Sequence, residues 1–204
     1  AETLGEGSIG KVNLVQQNST GKQFAAKVLN VIIESNQEKK QLLQIITKFS
    51  KVNNPAILPL FGYNPMNFDG ENCPTIFTEF MPKGPLINIF KTNPKITLSK
   101  KYIILLGIAE GMKYLHSLQI IHNNLKSSNI LLDENFYPHI CHFEESEILK
   151  ISSNNNLNIK SSSYTAPESF NNQPITYKSN VYSFSMIIYH LFTRKIPFST
   201  YKSV

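Results

Sequence analysis

The sequence predicts an α+β fold in two lobes, a β-rich N-terminal lobe carrying one helix and a mainly helical C-terminal lobe. Three observations predict it. The first 80 residues are short alternating or apolar runs broken by turn residues, with one stretch of helical spacing among them. Two long apolar-periodic segments dominate the remainder. The chain has 204 residues, 41% hydrophobic and 17% charged, which suffices for one good core or for two small lobes.

The elements follow in order. Leu4, Val12 and Leu14 stand among small and polar residues, and "KQFAAKVL" forms a further strand after the hairpin turn "QNSTG", where Gly21 supplies the turn conformation. Leu42, Leu43, Ile45, Ile46 and Phe49 recur at helical spacing between about Glu34 and Lys51. After Pro55 and Pro59, the runs "ILPLFGY" and "TIFTEFM" flank the loop "NPMNFDGEN". "SKKYIILLGIAEGMKYLHSL" reads as a long helix capped by Ser99. Short strands are expected around 130–132 and 139–141, then a polar loop over "SSNNNLNIKSSS" and a buried helix over "SNVYSFSMIIYHLFT". No internal repeat is visible.

Net charge is +6, supplied almost wholly by scattered lysines, Arg194 being the only arginine. Nucleic-acid grooves cluster Arg and Lys with aromatics between them, so the pattern excludes a nucleic-acid role and suits an anionic ligand or a protein partner. Cys73 and Cys141 make neither a disulfide framework nor a metal cluster. No charged leader precedes an apolar segment, and runs such as "YIILLGIA" fall far short of a membrane span. The expectation is a cytoplasmic protein without a membrane segment.

"GEGSIGKV" sets Gly5, Gly7 and Gly10 ahead of Val12. Glycines let amide N–H groups converge on phosphate oxygens. In dinucleotide-binding folds a helix follows such a loop; here a strand follows, then a hairpin and a second strand reaching Lys27. Strand, glycine loop, strand and lysine together describe a flap over a triphosphate.

On these residues the chain resembles the protein kinase domain, of the serine/threonine and tyrosine-kinase-like types. "FAAK" matches the third-strand lysine motif at Lys27, and "TEFMPKG" resembles the hinge. "HNNLKSSN" occupies the catalytic loop, "CHFE" the metal-binding motif, and "APE" closes the activation segment. The resemblance implies one domain over 1–204, with 1–80 as N-lobe and 81–204 as a partial C-lobe that stops before the family's last helices. It implies phosphate contacts from Gly5, Gly7, Gly10 and Lys27. It also implies an adenine slot from Val12, Ala25 and Leu131, Thr78 guarding its back, and Glu79 to Met81 facing the base. Lys126 would steady the γ-phosphate, and Asn129 is the retained metal-ligand position.

The departures fall on the chemistry. The catalytic-base aspartate is Asn124, whose amide has no basic lone pair near neutral pH. The preceding arginine is Asn123. At the principal metal-ligand position stands His142, and a hard Mg²⁺ ion prefers oxygen, so Mg is expected to be held weakly or not at all at His142 and Asn129. The helix glutamate that pairs the lysine falls on Ile45, beside Gln44, while Glu34 and Glu38 lie two to three turns earlier, two turns spanning about 11 Å. Lys27 then needs a nucleotide phosphate, Glu144 or water as partner. The buried aspartate of the large-lobe helix is Asn180. Ser161, Ser162, Ser163, Tyr164 and Thr165 are expected in a solvated linker. The resulting expectation is a catalytically impaired kinase-like domain, a pseudokinase acting through protein partners in signalling or scaffolding and binding ATP weakly. The competing readings are an active serine/threonine kinase with Glu144 or Glu145 recruited for metal, and a degenerate gene product.

Overall fold

A computed structural model describes residues 2–7, 9–92, 96–151, 163–171 and 174–199. In chain order the elements are β1 (Glu2–Gly7), β2 (Gly10–Gln16), β3 (Gln23–Leu29), α1 (Asn36–Ser50), β4 (Leu60–Asn64) and β5 (Thr75–Glu79). There follow β6 (Gly84–Pro85), α2 (Leu86–Thr92), α3 (Leu98–Ser117), β7 (Ile130–Leu132), β8 (Pro138–Ile140), α4 (Glu145–Ile148) and α5 (Tyr177–Thr193). The fold is bilobal, a β-rich N-lobe with α1 and a helical C-lobe. Two units divide the described residues: 2–53, 58–81 and 144–151 form the first, and the rest form the second.

In the first unit an antiparallel sheet runs β1-β2-β3-β5-β4. Gly21 closes the β2–β3 hairpin at φ 72°, a conformation that costs glycine little. Ser35 caps α1, its Oγ accepting from the Glu38 N–H at 3.1 Å while the Glu38 carboxylate accepts from the Ser35 N–H at 2.9 Å. Leu42, Ile46 and Phe49 form the buried stripe of α1. Leu42 and Ile46 pack into a core with Ile9, Leu29, Val31, Ile33 and Ile76, and Ile148, Leu149 and Ile151 from α4 and its exit join the same core.

In the second unit, α3 buries Ile104, Ile108, Met112 and Leu115, one face at helical spacing. The small sheet runs β6-β7-β8, and Ile140 makes a parallel bridge to Ile57. α5 buries Asn180, Ser183, Ile187, His190 and Leu191.

Two expectations about element ends need correction. Thr97, not Ser99, caps α3: its Oγ1 accepts from the Lys100 N–H at 3.3 Å, and Ser99 stands inside the first turn. The last strand begins one residue early, at Pro138. The short helices α2 and α4 had no periodic signal long enough to read. The loop expected over "SSNNNLNIKSSS" lies outside the described residues except for Ser163. Among the described residues, no helix is long and apolar enough to cross a membrane.

Candidate functional site

The sheet of the first unit sets the site's lysine. Val12 pairs with Lys27 across β2 and β3, Leu14 with Ala25, and Ala25 with Thr78 across β3 and β5. Directly paired residues share a face and side chains alternate along a strand, so Val12, Ala25, Lys27 and Thr78 point to one side of the sheet. Ala25 and Met81 are buried, whereas Val12, Thr78 and Glu79 are half-buried.

The three loop glycines differ. A Cβ on Gly10 would sit 2.0 Å from the Val28 carbonyl oxygen, so the packing of β2 on β3 already demands glycine there. A Cβ on Gly5 would meet nothing within 4 Å, and one on Gly7 would meet only the Gly10 carbonyl oxygen at 3.9 Å. Packing accounts for Gly10 and gives no reason for glycine at Gly5 or Gly7, which pair with Val12 and Gly10 across β1 and β2.

Lys27 is ion-paired with Glu145, the first residue of α4, and both side chains are nearly buried. That partner stands one residue beyond Glu144, the carboxylate considered from the sequence. Glu145 could not be assigned in advance, because 118 positions separate it from Lys27; the acidic run "FEESE" was the one available signal. Burial pushes the Glu144 carboxyl above its ordinary range, and nearby Lys27 partly offsets this. A second pair, Lys48 with Glu147 at 2.7 Å, ties α4 to α1 at the surface. Ile45 is partly buried against the core, an apolar side chain on α1 where the kinase resemblance expects a glutamate.

In the second unit the catalytic-loop segment is held by buried hydrogen bonds. His122 Nδ1 accepts from the Asn124 N–H at 3.3 Å, and its Nε2 lies 3.1 Å from the Cys141 carbonyl oxygen, which assigns the proton to Nε2. Burial drops the His122 pKa to about 4, despite the Cys141 bond that opposes the shift, so the ring is neutral at physiological pH. Asn180 Oδ1 accepts from the His122 N–H at 3.0 Å, and Asn180 Nδ2 donates to the His122 carbonyl at 2.8 Å. Asn129 Nδ2 donates to the Asn124 carbonyl at 2.8 Å. Burial also lowers the pKa of Lys126, which is half-exposed. Leu131 is half-buried in β7. His142 adopts φ 68°, a left-handed conformation uncommon outside glycine.

Tyr164 was expected in a solvated linker and is instead buried. Its hydroxyl lies 2.6 Å from His190 Nδ1 and donates to Ser127 Oγ at 3.1 Å. Ser161 and Ser162 lie outside the described residues.

A model of the protein kinase domain matches residues 1–204. The chain belongs to the protein kinase domain family. It is 32% identical over 202 residues to a leucine-rich repeat receptor-like serine/threonine-protein kinase of Arabidopsis thaliana, covering 95% of this chain and 18% of that relative. It is 30% identical over 204 residues to the dual specificity protein kinase shkB of Dictyostelium discoideum, covering 96% and 30%. It is 28% identical over 202 residues to 3-phosphoinositide-dependent protein kinase B of the same organism, covering 96% and 22%. The chain therefore spans less than a third of the length of these curated relatives.

As a kinase domain it offers a poor donor set for Mg²⁺. Asn129 and His142 bring a carboxamide and an imidazole where the ion prefers charged oxygen. Among the described residues, no three His, Cys, Asp or Glu side chains gather so as to hold a metal. Amides and an ammonium are groups that suit phosphate, and here the ammonium of Lys27 is paired with Glu145 beside the small buried Ala25.

Proposed function

We propose that this kinase domain is a pseudokinase, a signalling or scaffolding module that engages protein partners in the cytoplasm and binds ATP weakly and without dependence on Mg²⁺. One domain spans 1–204, with N-lobe residues over 1–80 and C-lobe residues over 81–204. The observation that carries the reading is that Asn124 and His142 bring no carboxylate to the base and metal positions, while the carboxylate partner of Lys27, Glu145, comes from α4 and not from α1. A kinase's rate comes from positioning and from metal-borne charge, and each of these residues withholds one contribution. Gly5, Gly7, Val12, Ala25, Lys27, Thr78, Glu79 and Met81 are the groups offered to ATP from the first unit, Gly10 having a packing reason of its own. Lys126, Asn129 and Leu131 keep the family's residue types in the second.

The test is a calorimetric titration of ATP with and without Mg²⁺, paired with a radiolabel transfer assay against a Lys27→Ala control. Weak, metal-indifferent binding and no transfer above the control are expected. Binding that tightens more than about tenfold with Mg²⁺, roughly 1.4 kcal/mol, would support an active serine/threonine kinase built on unconventional residues instead. No binding in either condition would leave a scaffold without nucleotide.

A further inference from the structure

Apart from the residues considered so far, three lysines of the second unit gather on two aromatic rings. Lys83, just ahead of β6, and Lys100, in the first turn of α3, place Nζ 5.6 and 3.9 Å from the centroid of Phe136 in the β7–β8 turn. Lys101 places Nζ 4.9 Å from the centroid of Phe192 on α5, whose ring meets that of Tyr102 edge-on at 6.3 Å. Leu98, Tyr102, Tyr137 and Phe192 are exposed around them.

Three lysines stand on this surface with two carboxylates, Asp133 and the exposed Glu134 of the β7–β8 turn, so positive charge predominates. Lys83 and Lys100 share one ring, so their ammonium groups lie no more than about 10 Å apart, near the screening length at physiological salt, and repel each other. Among the described residues, no carboxylate lies within 4 Å of any of the three lysines. Asp133, in the same turn as Phe136, is engaged by the N–H groups of Asn135 and Tyr137 at 2.8 and 2.9 Å.

We propose that this surface, formed by the approach to β6, the β7–β8 turn and the start of α3, docks an acidic segment of a protein partner with apolar side chains among its carboxylates. Charge complementarity selects the acid, and the exposed Leu98, Tyr102 and Tyr137 select the apolar companions. Two other anionic partners fit less well. Nucleic acid stacks bases on open aromatic faces, and here lysines stand over both rings. Membrane recognition by charge draws on clusters of roughly four to eight basic residues, more than gather here.

The test uses the full chain and a short fluorescein-labelled peptide alternating glutamate with leucine and phenylalanine, read by anisotropy. Lys83→Glu with Lys100→Glu should weaken binding at least about fivefold, and Lys83→Gln with Lys100→Gln by a smaller factor. Lys113→Glu, roughly 20 Å along α3, should leave binding unchanged. Circular dichroism confirms that each variant is folded. Absence of peptide binding, retention of affinity in the double charge reversal, or equal loss in Lys113→Glu overturns the proposal. So does tighter binding of poly(U), or of phosphatidylserine-containing vesicles, with the same dependence on Lys83 and Lys100.

Discussion

Asn180 engages both polar ends of the His122 backbone, accepting from its N–H at 3.0 Å and donating to its carbonyl at 2.8 Å. An aspartate, the residue that the kinase pattern has at this place, accepts but cannot donate. Asn180→Asp should therefore destabilise the domain by about 1–3 kcal/mol, since it sets a carboxylate against a buried carbonyl oxygen. Asn180→Ala should cost at least as much. Urea unfolding of the three proteins measures the order; an aspartate variant as stable as the parent would show that the donated bond contributes nothing.

The Lys27–Glu145 pair predicts opposite effects on stability and ligand binding. Glu145→Gln breaks the ion pair of a nearly buried ammonium and should cost about 3 kcal/mol, at the lower end for a buried pair because Glu144 stays close to Lys27. The same change loosens the hold on Lys27, so ATP affinity should rise while thermal stability falls. Differential scanning fluorimetry and calorimetric titration on one preparation check both signs.

Acid sensitivity follows from His122. Its folded pKa of about 4 lies below the unfolded value near 6.5, so the unfolded chain binds the extra proton between those limits. The His122 contribution is fully present above pH 6.5 and falls away toward pH 4, by on the order of a few kcal/mol. Glu144 acts with the opposite sign: its raised pKa favours the folded state below the ordinary carboxylate value and loses that contribution as pH rises. Glu144→Gln should thus stabilise the protein at pH 7, and His122→Asn should flatten the acid limb. Unfolding free energies across pH 4.5–7.5 separate the two.

Gly10 and Gly5 should respond differently to alanine. Gly10→Ala drives a Cβ into the Val28 carbonyl and should destabilise by about 1–3 kcal/mol. Gly5→Ala meets open space and should change stability by less than about 0.5 kcal/mol while weakening ATP binding. Equal thermal shifts in the two variants would contradict this division.

Restoring aspartate at Asn124 and His142 together should return little phosphoryl transfer. The lysine would still be held by Glu145, and α1 would still present Ile45 where the notional partner is sought. A recovery of more than about tenfold in a single-turnover assay would mean that these two positions alone had silenced the domain.

Much of this molecule was legible from local pattern. Alternation in β2 and β3, the helical spacing of Leu42, Ile46 and Phe49, and the order of glycine loop, lysine and catalytic-loop residues are short-range properties of a chain. They specify the bilobal α+β class and expose the residues other than carboxylates at 124 and 142. Tertiary structure decided what depends on distant approach. Glu145 reaches Lys27 across 118 positions, Ile148 and Ile151 enter the core of α1 and the sheet, and Tyr164 is buried on Ser127 and His190. No periodicity encodes such pairings, because α4 has only four residues and its burial depends on a surface built by other elements. The capping of α3 by Thr97 and the two hydrogen bonds of Asn180 to the His122 backbone belong with them: residue type made each allowable, and only the fold chose the geometry.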